Sequence, residues 1–149
     1  MKIAIGSDHG GFNLKQDIMK HLESKKIEVK DFGTYTNESC DYPDFAQKVA
    51  EEVAEQNFEF GILICGTGIG ISISANKVPG IRAALCCDTF SAHACREHNN
   101  ANILALGERV VGRGLALDIV DTFLNSEFEG GRHAKRVNKI SEIEKKYSK

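Results

Sequence analysis

The sequence predicts a single α/β domain spanning residues 1–149: a doubly wound, Rossmann-like, five-stranded parallel sheet with helices on both faces and a C-terminal helix. Three observations lead there. Apolar runs of strand length alternate along the chain with segments whose apolar residues recur at helical spacing. The run FGILIC at 60–65 is apolar throughout, as expected for a strand covered on both faces. The 149 residues are the length of one ordinary domain, with no internal repeat, low-complexity segment or linker. Strands separated by helices pair in parallel through right-handed crossovers.

Each element has its own signal. Residues 2–6 (KIAIG) form a short apolar strand, after which Leu14, Ile18, Met19 and Leu22 repeat at helical spacing. Residues 27–32 alternate and suit a second strand, while 33–42 are polar and loop-like. Pro43 fits the first turn of the next helix, where its missing N–H costs nothing, and Phe45, Val49 and Val53 mark that helix's apolar face. The third strand, 60–65, runs into GTGIG and a short helical stretch to Asn76. A fourth strand is expected at 81–86, a helix at 89–97 and a fifth strand at 102–106. Leu115, Ile119, Val120 and Phe123 give another amphipathic helix, and a last helix begins near His133.

Composition narrows the function. Hydrophobic residues make up 42% and charged residues 27% of the chain, and the net charge is −2, so nothing draws the molecule to nucleic acid or membrane. The C-terminal stretch from Arg132 is locally basic. No apolar run reaches membrane-spanning length, and the N-terminus lacks the signature of a leader peptide. Five cysteines, at 40, 65, 86, 87 and 95, do not suggest a disulfide scaffold in a chain with a full-sized core. A cytoplasmic protein with reduced thiols is the expectation.

Ligands of doubly wound sheets bind beyond the carboxyl ends of the strands. Two of those ends carry unusual sequence: GSDHGG (6–11) after strand one and CGTGIG (65–70) after strand three. Glycines there let backbone N–H groups approach an anion. A dinucleotide fingerprint is a poor match, because the glycine loop follows the third strand and Ile71 stands where the last glycine would fall. A P-loop is excluded by the absence of its lysine signature. Cys65 ends a buried strand and precedes a helix N-terminus, a placement that favours a thiolate able to abstract a proton. The other four cysteines read as small buried hydrophobes. Asp8 and His9 sit at the same ligand edge. His93, Cys95 and His98 do not share one helix face and match no metal signature, so no metal site is expected. Arg132 and Arg136, four apart after Gly130-Gly131, share a face near a helix N-terminus and suit either a phosphate or a solvated salt-bridging surface.

In combination, GSDHGG, DYPDFA (41–46), ILICGTGIGISISANK (62–77), REHNNANILALG (96–107) and EGGRHAKRV (129–137) resemble the type B ribose-5-phosphate isomerases over nearly the whole chain. That family also holds isomerases of allose and galactose 6-phosphates. The resemblance implies an aldose–ketose isomerase converting D-ribose 5-phosphate to D-ribulose 5-phosphate through an enediol(ate), without cofactor. It implies Cys65 as base, Thr67 assisting proton transfer, and the amides of Gly66, Thr67, Gly68, Ile69 and Gly70 as an anion hole. It assigns ring opening to His98 with Asp8, sugar contacts to Tyr42 and Asn99, and phosphate binding to His9, Arg109, Arg132 and Arg136. A relative branch carries a glutamate base where this chain has Ile71. The alternatives are an isomerase of a phosphorylated hexose and a non-catalytic phosphate- or nucleotide-binding module. The resemblance also implies a homodimer or a dimer of dimers, and the element order supplies a reason for one. His98 follows a helix running antiparallel to the strands, so it should emerge at the amino edge of the sheet, about 17 Å from Cys65 along a five-residue strand. A site shared between two chains removes that conflict.

Overall fold

Burial decides the order of the strands. The computed structural model describes residues 1–148. The elements are β1 (Lys2–Ser7), a 3-10 turn (His9–Gly11), α1 (Phe12–Ser24), β2 (Glu28–Asp31), α2 (Tyr42–Ala54), β3 (Phe60–Cys65), α3 (Ile69–Ala75), β4 (Ala83–Leu85), α4 (Thr89–Glu97), β5 (Ile103–Gly107), α5 (Arg113–Asn125) and α6 (Arg132–Tyr147). All six residues of β3 are buried, and β3 takes the centre of one parallel sheet ordered β2-β1-β3-β5-β4. The half-exposed β2 and β4 form its edges. The expected class of fold is the observed one.

Alternation along the strands makes two cores. Ile3, Ile5, Ile62, Ile64, Leu104 and Leu106 pack on α1, α4 and α5. Ala4, Leu63, Cys65, Ile103 and Ala105 pack on Val49 and Val53 of α2 and on Ile71 and Ala75 of α3. Each fully buried Ile or Leu contributes roughly 1.5–3 kcal/mol of transfer free energy. Asp88 caps α4 by accepting the Ser91 N–H at 2.6 Å, and this bond holds its carboxyl below the usual carboxylate range.

Some elements differ from expectation. β4 is ladder-paired only over Ala83–Leu85, not 81–86. Side-chain amides replace the ladder at its start: Asn76 exchanges hydrogen bonds with the Ala83 backbone at 2.8 and 3.0 Å, and the Asn102 carbonyl oxygen of the side chain takes the Arg82 N–H at 2.8 Å. Leu115 is exposed, and α5 buries Ala116 beside Ile119, Val120 and Phe123 instead. In α2 Phe45 is only half-buried, and Ala46 and Ala50 join Val49 and Val53. Cys86 and Cys95 are buried as expected, whereas Cys87 is exposed and Cys40 is half-buried.

Periodicity did not mark Lys15 as a core residue, yet it is 0% exposed on the buried face of α1. Its Nζ donates to Asp31 Oδ1 at 2.6 Å and to the Thr34 carbonyl, tying α1 to the end of β2. Breaking a buried pair by removing one partner is strongly destabilising, because the other charge stays behind. Lys15→Met should therefore lower unfolding stability by about 3 kcal/mol, measured by urea denaturation at fixed protein concentration.

Candidate active site

The cleft at the carboxyl edge is made by loops that follow β1, β3 and β5. Parallel register sets Ser7 beside Ile64 and Cys65 beside Gly107, so the three loops leave the sheet at one level. Backbone bonds then join them: Asp8 N–H to Ile64 O at 3.3 Å, Glu108 N–H to Cys65 O at 3.0 Å and Arg109 N–H to Gly66 O at 3.0 Å. The resulting open cleft, about 480 Å³, is lined by Asp8, Tyr42, Cys65, Gly66, Thr67, Ile69, Gly70, Ile73 and Arg109. It lies between β1 and β3, where the direction of strand addition reverses.

Cys65 is 4% exposed, and its Sγ accepts the Gly68 N–H at 3.0 Å. That contact needs the turn Gly68 makes, with φ of +80°, in the left-handed region that glycine enters without strain. Thr67 Oγ1 accepts the Ile69 N–H at 3.2 Å, which leaves its own hydroxyl proton able to donate elsewhere. Tyr42 starts α2 and lies over Gly70 so closely that a Cβ there would sit 2.6 Å from its ring. Asp8 is 6% exposed and caps the 3-10 turn, its Oδ1 accepting the N–H groups of Gly10 and Gly11 at 2.9 and 3.2 Å. His9 Nδ1 accepts the Cys40 N–H at 3.1 Å, so a neutral His9 ring carries its proton on Nε2.

Four expected site residues are elsewhere. His98 caps the C-terminal end of α4, and Asn99 lines a separate depression with Arg82, Ala84, Cys95 and Ile140. Arg132 and Arg136 are exposed in the first turns of α6, which carries no acidic residue there. All four belong to the amino edge. The link is direct: the Glu129 N–H donates to the Glu97 carbonyl at 3.1 Å, bringing the start of α6 against the end of α4. β5 runs parallel to β3 and α4 returns from the carboxyl edge, so His98 lies at the opposite end of the sheet from Cys65.

Three further residues join these two edges to their surroundings. Glu108 accepts the Leu14 N–H and so joins the cleft loop to the first turn of α1. His133 stacks on His98 with ring centroids 4.4 Å apart and planes at 15°. It is 7% exposed, and burial, with His98 and Arg132 nearby, pushes its pKa below the ordinary value. Glu129 stands beside it, Oε2 lying 3.6 Å from His133 Nε2. Their i,i+4 spacing was the available signal. By contrast His93 pairs with Glu97, and Cys95 with Cys86, so the trio considered from sequence is not a cluster.

A larger concavity, about 670 Å³, lies between residues 76–83 and α6, but Ile140, Ile143 and Tyr147 give it a largely apolar wall far from Cys65. Among the described residues no helix is long and apolar enough to cross a membrane.

Residues 3–140 match the family described as Ribose/Galactose Isomerase. Ribose-5-phosphate isomerase B of Escherichia coli is 52% identical over 145 residues, covering 97% of each chain. The solved ribose-5-phosphate isomerase B of Clostridium thermocellum superposes with a TM-score of 0.98 at 68% identity, over 99% of this chain and 100% of that one. That of Mycoplasma genitalium, solved with bound ribulose-5-phosphate, gives 0.93 at 46% identity over 97% and 96%. On this sequence match, and with the same fold over essentially its whole length, the chain belongs to the ribose/galactose isomerase family.

Proposed function

We propose that the chain interconverts D-ribose 5-phosphate and D-ribulose 5-phosphate, with Cys65 as the base. The observation that carries this reading is a buried thiol on the cleft floor whose sulfur accepts a backbone N–H at 3.0 Å. That N–H points at the atom that carries negative charge while the substrate proton is exchanged. From the open-chain aldose, Cys65 takes the C2 proton, giving an enediol(ate), and returns it to C1. The hydroxyl proton passes from O2 to O1, with Thr67 Oγ as the relay. The Gly68 and Ile69 amides serve Cys65 and Thr67, which leaves those of Gly66, Thr67 and Gly70 for the developing oxyanion. Each well-aimed donor in such a cage is worth about 3–4 kcal/mol. None of these steps calls for a redox cofactor or metal.

Ring opening needs an acid–base group, assigned to His98 with Asp8, and the phosphate needs cations, assigned to His9, Arg109, Arg132 and Arg136. Asn99 and Tyr42 hold the sugar. Because His98, Asn99, Arg132 and Arg136 lie at the amino edge, the reading requires a second copy of the chain to bring them to the Cys65 cleft. A two-fold homodimer, alone or paired, makes that exchange reciprocal and completes two sites at once.

Cys65→Ala should lower kcat by about a thousandfold or more while calorimetry still detects ribose 5-phosphate binding. Near-normal turnover would end the assignment. A parallel assay on allose 6-phosphate distinguishes pentose from hexose preference.

Arg132→Ala and Arg136→Ala should each raise KM for ribose 5-phosphate about tenfold or more, since each removes a charge-assisted hydrogen bond. Turnover of free sugars should hardly change. Equal losses on both substrate classes would point to a structural role instead.

A shared site also predicts complementation. Homodimers of Cys65→Ala and of His98→Ala should each be nearly inactive. Reassorted mixtures contain half heterodimers with one intact site of two, so about a quarter of wild-type activity should return. Verified mixed dimers that regain nothing would place the whole site within one chain.

A further inference from the structure

His98, Glu129 and His133 arrive at one point from different segments: the end of α4, the stretch before α6 and the first turn of α6. One ligating atom from each lies within 4.8 Å of the other two, and among the described residues this is the one such group of three. The two imidazoles are stacked, so the half-exposed His98 ring must turn out of the stack before both lone pairs can meet one ion, while Glu129 is already 3.6 Å from His133 Nε2. In a tetrahedral zinc site, bonds of 2.0–2.1 Å put neighbouring ligand atoms about 3.3 Å apart. The Glu129–His133 edge is near that value, the Glu129 side chain, 53% exposed, can swing toward His98, and rotation of the His98 ring closes the edge between the two imidazoles.

We propose that His98, Glu129 and His133 form a binding site for a zinc-class divalent ion, and that the ion inhibits the enzyme by occupying the His98 imidazole. Two imidazoles and a carboxylate are donors that zinc accepts, with a fourth position left for water. The same donors favour zinc, copper and nickel over magnesium or calcium. Arg132 and Arg136 flank the group and repel a cation, so the ion is held loosely and remains exchangeable. The ion adds to no step of the isomerisation. Its inhibition, though not its binding, rests on the assignment of His98 to ring opening.

The test uses the full chain, with Zn2+ titrated against turnover and Co2+ titrated by visible absorption. Zn2+ should inhibit, and EDTA should restore full activity. Co2+ should give d–d bands without a thiolate-to-metal charge-transfer band. Glu129→Gln should keep metal-free turnover close to wild type. It should raise the Zn2+ concentration for half-inhibition, and weaken Co2+ binding, by about tenfold or more. His133→Gln should weaken Co2+ binding similarly. Unchanged metal affinity in both variants, or a thiolate charge-transfer band that places the ion on a cysteine, would overturn the site. Co2+ binding that depends on Glu129 while Zn2+ leaves turnover untouched would overturn the inhibition and the role of His98, but not the site.

Discussion

The buried central strand β3 is the constraint on which the rest depends. It is laddered on one side to β1 and on the other to β5, with every residue covered by helices. Because strand side chains alternate, that register points Cys65 toward Ile71 and Ala75 under α3, while Ile64 points to the opposite core. A slip of one residue would turn the thiol into the wrong core and break the loop bonds from Glu108 and Arg109. The position of the sulfur is thus fixed by packing along the whole strand, and only its last hydrogen bond is local to the glycine loop.

The geometry that assembles the cleft also keeps the residues proposed for ring opening and phosphate binding away from it. Parallel strands place their loops at one edge, and the returning helices place their own ends at the other. Asp8 and Arg109 follow strands and Cys65 ends one, whereas His98 and Asn99 follow α4. The Glu129–Glu97 backbone bond then delivers the cationic start of α6 to that same amino edge. The proposed two-fold pairing of chains would bring these two groups of residues together.

The amino-edge group has its own support. Arg96 is 7% exposed, and its Nη1 donates to the Ala101 carbonyl at 2.7 Å and to Asn100 Oδ1 at 3.1 Å. Its guanidinium lies over Phe60 at 4.5 Å and Phe123 at 5.7 Å. Those contacts fix the turn after α4 that carries His98 and Asn99, with Asn100 in a left-handed conformation at φ 49°. Burial lowers the pKa of Arg96 somewhat, but an arginine stays charged in proteins, so the clamp does not titrate near neutral pH.

By itself the sequence determined the class of fold, the limits of most elements and the identity of the candidate base. The reason is that these depend on short-range patterns: the apolar run of 60–65, helical spacing around Ile18 and Phe123, and glycines beside Cys65. It could also place His98 on the far edge, since chain direction alone fixes which end of a helix meets which edge. Tertiary structure decided what short-range patterns cannot carry. Lys15 looks like a surface residue until Asp31 and the Thr34 carbonyl meet it from 16 and 19 residues away. The start of β4 is set by Asn76 and Asn102, side chains that stand in for backbone partners. His98, Glu129 and His133 become neighbours only when α6 closes against α4, because more than thirty residues of chain separate His98 from the other two.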